Sequence, residues 1–125
     1  MQGIYENRYA RFWIADGILR FEYREGIVIN LAAARSVVAD RLYFQNERVL
    51  PVLCDSRGVA AIDKAARDYL ASAGSLLAKG VALLVRENVS QVMSRFYLQV
   101  SKPAVPTEIF TKEREALSYL SSFLS

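Results

Sequence analysis

PVLCDSRGVAAIDKAARDYL, residues 51–70, contains a strand, its stop and the opening of a helix. From Pro51 to Cys54 the chain is continuously apolar, as a strand covered on both faces should be. Asp55, Ser56, Arg57 and Gly58 then bring a carboxylate, a hydroxyl, a cation and a glycine in succession. Beyond them Ile62, Ala65, Ala66, Tyr69 and Leu70 recur at the spacing of one helix face. A buried strand leading into a helix is the repeating unit of a parallel sheet with helices packed on it.

The same unit recurs on both sides. Downstream, GVALLV (80–85) is a second buried strand, preceded by a short helical turn, SLLAK (75–79). Upstream, NRYARFWIADGILRFEYREG (7–26) reads as a hairpin. Phe12 and Ile14 alternate with Arg11 and Trp13, and Leu19, Phe21 and Tyr23 alternate with Arg20 and Glu22. Asp16-Gly17 between them tolerates the positive φ of a tight turn. GIVIN (26–30) is another extended piece, and Asn30 is an N-cap for a helix over residues 31–46. Its expected stripe is Leu31, Ala34, Val38 and Leu42, with Arg35, Asp40 and Arg41 away from it.

NVSQVMSRFYLQV (88–100) carries Val89, Val92, Met93, Phe96, Tyr97 and Val100 as a broad apolar stripe, with Asn88 and Gln91 in a capping-box arrangement and Pro103 beyond its end. VPTEIF (105–110) is a last strand. Thr111 is the expected cap of a final helix bearing Ala116, Leu117, Leu120, Phe123 and Leu124. The prediction is one domain over residues 1–125, its core about 9–124. Its class is α/β, a mixed sheet of an antiparallel N-terminal hairpin plus parallel strands, packed by about four helices.

Composition narrows the chemistry. Of 125 residues, 53% are hydrophobic and 23% charged, which suits a globular core. The net charge of +3 is spread among interleaved acids and bases, as in TKEREAL (111–117), so no cationic stripe for nucleic acid is expected. No apolar run reaches membrane-spanning length, and the first residues lack a signal-peptide core. A lone cysteine, Cys54, forms no internal disulfide, and a cytoplasmic location is expected. No histidine occurs. That removes the commonest general base and, with one cysteine, the usual transition-metal ligand sets, so neither metal nor cofactor is expected.

The candidate ligand- or partner-binding residues are Asp55, Ser56, Arg57, Asp63, Lys64 and Arg67. Asp55, Ser56 and Arg57 follow the strand whose carboxyl end would face the crevice where open α/β sheets bind ligands, Asp63 comes near the same crevice, and Lys64 and Arg67 lie with Asp68 on a charged helix face that could bind a partner. The structural reading of the same residues is that Asp55 caps the turn, Arg57 pairs with Asp55 or Asp63, Gly58 permits a sharp bend, and Lys64 pairs with Asp68. Cys54, inside an apolar run without a base beside it, reads as an inert core thiol. Tyr9, Arg11 and Trp13 fall on one face of the first hairpin strand, a composition typical of interfaces, and self-association as a homodimer is expected there.

The segments DGILRFEY, GIVINLAAA, VLCDSRGV, DKAARDYL and KPAVPTEIFTKEREAL resemble those of small bacterial proteins of the STAS-like (SpoIIAA-like, STAS/SEC14) family. STAS domains are named for sulfate transporters and anti-sigma-factor antagonists, and the likeness spans about Tyr9 to Leu124. It implies the STAS-like α/β fold without attaching an activity. The antagonists carry a phosphorylatable serine, in a motif near Asp-Ser-Ser-Gly, where the helix after the PVLCD strand begins. Here that position reads Ala61-Ile62-Asp63-Lys64, and Ser56 lies earlier, at the strand end.

Three functions follow in order. The first is a non-catalytic regulatory or protein-interaction module with an unidentified protein partner, acting through the surface around residues 55–68. The alternative is a small apolar-ligand or lipid-binding protein with a cavity between sheet and helices. An enzyme is the least expected.

Overall fold

The structure, a computed structural model, describes residues 3–87 and 102–124. The helix expected at 88–100, including Phe96 and Tyr97, lies outside the described residues. Eight strands and three α-helices are found among those described: β1 (Tyr5–Glu6), β2 (Ala10–Ala15), β3 (Ile18–Tyr23), β4 (Ile27–Ile29), α1 (Leu31–Gln45), β5 (Leu50–Asp55), β6 (Val59–Ile62), α2 (Lys64–Ser72), β7 (Ala78–Leu84), β8 (Thr107–Phe110) and α3 (Glu113–Ser121). None of these helices is long and apolar enough to cross a membrane.

Six strands form one sheet in the order β1-β2-β3-β5-β7-β8. β2 runs antiparallel to both β1 and β3, and β3, β5, β7 and β8 run parallel. The hairpin turns through Asp16 and Gly17, with φ of 54° and 79°, so both central residues take the left-handed conformation that a two-residue hairpin turn requires. Ala15 and Ile18 close it, and Phe12 sits opposite Phe21, their rings stacked 5.3 Å apart.

The pleat divides the core in two. On one face Phe12, Leu19, Phe21, Tyr23 and Val52 pack with Ala33, Ala34, Val37, Val38 and Phe44 of α1 and Ala66 of α2. On the other, Ile18, Leu53, Ala82 and Leu84 pack beneath Ala116 and Leu120 of α3. Asn30 caps α1 as expected, its Oδ1 accepting from the Ala33 N–H at 2.8 Å.

Four local expectations are corrected. The buried residues of α1 are Ala33, Ala34, Val37, Val38, Arg41, Phe44 and Gln45, so its inner face is rotated and Arg41 belongs to it. Ile62 is not on a helix. Residues 59–62 form β6, which pairs in parallel with β4 as a second, two-stranded sheet, and α2 begins only at Lys64. The turn after α2 is a 3-10 helix at Ala73–Ser75, and β7 already starts at Ala78 within the expected SLLAK turn. Lys112, not Thr111, occupies the N-cap of α3, and no side chain bonds there.

Leu84 is fully buried between β5 and α3. Leu84→Ala is expected to lower unfolding free energy by about 2–5 kcal/mol through lost burial and the cavity left behind. Urea denaturation measures this, and a loss under about 0.5 kcal/mol would contradict the core position.

Candidate functional site

The chain emerging from β5 separates two concavities. At the carboxyl ends of β3 and β5 lies a charged cleft of about 470 Å³, lined by Glu6, Arg11, Glu22, Arg24, Asp55 and Arg57 among others. Its charges are matched internally. Arg57 grips Asp55 with Nε at 2.9 Å from Oδ1 and Nη2 at 2.7 Å from Oδ2, while its backbone N–H donates to Oδ1 at 3.1 Å. Arg11 pairs with Glu22 at 2.7 Å and Arg24 with Glu6 at 3.6 Å. Asp55 and Arg57 therefore form a closed turn, and their hydrogen bonds are directed at each other.

Gly58 follows, and its need for glycine is steric. A Cβ there would stand 2.6 Å from the carbonyl oxygen of Arg24 and 2.9 Å from that of Tyr23. The sharp bend expected at this glycine is instead a close backbone crossing, in which Gly58 C=O accepts from the N–H groups of Gly26 at 2.7 Å and Ile27 at 3.2 Å. This crossing starts the β4–β6 ribbon.

On the other side of the ribbon, between the sheet and α1 and α2, is a cavity of about 400 Å³. β6 supplies Val59, Ala60, Ala61 and Ile62; the sheet supplies Phe21, Tyr23, Val52, Cys54, Val81 and Leu83. Val37 and Val38 of α1, Leu70 of α2, Gly74, Val85 and Pro103 add to the wall. The polar contributors are Arg41, Ser56, Arg67, Ser75 and Thr107, together with the Cys54 thiol. This volume and lining suit a small-molecule site, which is typically a mostly apolar pocket with a few polar groups that fix orientation.

The six predicted site residues are thus divided. Asp55 and Arg57 line the charged cleft, and Ser56 and Arg67 line the apolar cavity. Asp63 is the N-cap of α2, its Oδ1 accepting from Ala66 N–H at 2.8 Å. Lys64 is exposed and pairs with Asp68 at 2.6 Å. On the hairpin, Arg11 lies over the Trp13 ring, 5.5 Å from its centroid, whereas Tyr9 packs against the larger core cluster beneath Arg8.

Arg41 is the residue that the sequence reading missed. It is 4% exposed and lines the cavity from α1. Its Nη1 donates to Gln45 Oε1, and its Nη2 to the carbonyls of Gly74 at 2.9 Å and Leu76 at 3.0 Å. Burial pulls its pKa below the ordinary arginine value. The available signal was spacing, since Arg41 stands three positions after Val38 and four after Val37.

Among the described residues no group of His, Cys, Asp and Glu is placed to hold a metal ion. Cys54 is the one thiol, and burial pushes its pKa up to about 11, against a smaller opposing pull from Ser56, whose Oγ lies 3.6 Å from Sγ. A raised thiol pKa means that folding favours the neutral form. That contribution is complete below the ordinary thiol pKa of 9.0 and is lost as pH rises through about 11. At about pH 8, iodoacetamide is expected to alkylate native Cys54 far more slowly than the urea-unfolded chain. Mass spectrometry against time checks this, and equal rates would reveal an activated thiol.

Comparison with known proteins adds the fold and the family. A protein of the DUF3478 family from Shewanella loihica PV-4, whose crystal structure has a SpoIIAA-like fold, superposes with a TM-score of 0.62. The two share 15% sequence identity over 94% of this chain and 99% of the other. At that identity the likeness establishes the SpoIIAA-like, STAS-like fold expected from the sequence. No curated protein matches. Residues 12–124 match the sequence family described as Domain of unknown function (DUF7793), and with nearly the whole chain included the protein belongs to that family.

Proposed function

We propose that this SpoIIAA-like domain is a non-catalytic binding module that holds a small, largely apolar molecule between its sheet and helices α1 and α2. The observation that carries this reading is the cavity of about 400 Å³, whose wall is mainly valine, leucine, isoleucine, alanine and aromatic side chains. Burial of apolar ligand surface at about 25 cal/mol per Å² supplies the affinity. The missing histidine and the neutral Cys54 thiol support binding without turnover. A cytoplasmic setting, expected from the single free cysteine, goes with this reading.

Val81 lines the cavity from a central strand, so Val81→Phe fills it with apolar atoms. Nile red fluorescence should rise on adding the wild-type protein, and the variant should bind about tenfold more weakly or worse while keeping its circular dichroism. Equal binding by both, or by neither, would sink the proposal.

An interaction role through the hairpin is supported by the half-buried Trp13 beneath Arg11 on the sheet face opposite the cavity. Tryptophan and arginine are the residues most enriched where interfaces are strongest. For a homodimer of this kind, sedimentation at micromolar concentration should show wild-type dimer and Trp13→Ala monomer of unchanged fold. A wild-type monomer would remove the interface.

A further inference from the structure

The cavity wall is one-sided in charge. Arg41 and Arg67 both line it, and no aspartate or glutamate is among its described lining residues. Arg41 makes the imbalance acute, because it is almost fully buried and its partners are an amide oxygen and two backbone carbonyls, all neutral. A guanidinium has five N–H donors. The three bonds account for three of those donors, and none of them goes to a carboxylate. Buried charges in proteins are ordinarily paired, because an uncompensated ion in an apolar surround is costly.

The neighbouring cleft shows the contrast. There each of Arg11, Arg24 and Arg57 has its own carboxylate, so that site presents no excess charge to a ligand. In the cavity, no carboxylate is among the described lining residues, and Arg41 is held by neutral groups in a mainly apolar wall.

We propose that the ligand is a small amphipathic anion, an acid group compensating Arg41, with Arg67 as the second cation, on an apolar body that lies along Val52, Val81 and Ile62. This rests on the apolar-cavity reading above and adds the chemistry of the head group. The acid supplies the anionic oxygens that a guanidinium binds best, and the low dielectric of the cavity strengthens the pair relative to water. A neutral molecule of the same length would leave Arg41 as it stands, and an amine would add a third cation.

Calorimetric titration with octanoate, octanol and octylamine tests this, because the three share one apolar body. Octanoate should bind at least about tenfold more tightly than octanol, and octylamine more weakly than either. Arg67→Gln should bring octanoate toward the affinity of octanol and leave octanol unchanged. Arg41→Met should do the same more completely; because Arg41 also ties α1 to residues 74–76, the Arg67 variant and the wild-type ratio decide if that protein does not fold. Octanol binding as tightly as octanoate, with both lost in Val81→Phe, would overturn the anionic head group and keep the apolar cavity. An acid preference that survives substitution of both arginines would overturn their role. Binding of none of the three would remove the cavity reading together with this one.

Discussion

The crossing of Gly58 over the end of β3 is the contact on which the arrangement of the cavity side depends. Two carbonyls, those of Tyr23 and Arg24, occupy the space a side chain would need. The chain leaving β5 is thereby pressed against the chain leaving β3, and Gly58 C=O captures the N–H groups of Gly26 and Ile27. From that point β6 has to run beside β4 before α2 can begin. Had α2 started directly after Asp55, the four residues of β6 would not stand as a wall and the space between sheet and helices would lie open. The Asp55–Arg57 pair sits one step earlier and holds the turn that delivers Gly58 to the crossing.

A second polar assembly holds the far end of the same layer. Gln45 is fully buried; its Oε1 accepts from Arg41, and its Nε2 donates to the carbonyls of Arg48 and Leu77, each at 2.9 Å. Leu77 has a φ of 59°, a conformation that a branched side chain adopts only when its surroundings impose it. Arg41 and Gln45 therefore join the last turns of α1 to the segment entering β7. Networks of this type are strong when each member is satisfied. Arg41 takes part in this joint and also faces the cavity, so the scaffold and the proposed head-group site share one side chain.

The sheet was legible because its signals are local. Asp16-Gly17 sets the hairpin, unbroken apolar runs mark β5 and β7, and Asn30 caps α1; each depends on neighbouring residues alone. β6 was not legible. VAAI lacks strand alternation and is half alanine, a residue at home in helices, and what makes it a strand is β4, some thirty residues earlier. The site was legible by halves for the same reason. Ser56 was found because it follows a strand end and Arg67 because it lies on a charged helix face, but the cavity is closed by the rotation of α1, which a stripe chosen one position off concealed. A charged residue on the inner face of a helix reads naturally as a surface residue until the neighbours opposite it are known.

The β4–β6 ribbon differs in kind from the sheet beside it. It has two short strands in parallel pairing, with an irregularity in its register between Ile27 and Val28, and Val28, Ala60 and Ala61 are exposed. Two-stranded pieces of this size are marginal without support, whereas β5 and β7 are each paired on both edges. The ribbon's support comes from Ile29, fully buried in the larger core cluster, and from Ile27, Val59 and Ile62 packed against it. The cavity thus has a thin two-stranded wall and a thick six-stranded one, and for the molecule proposed to bind there the thin wall would set the rate of entry and exit while the sheet and α1 would set the affinity.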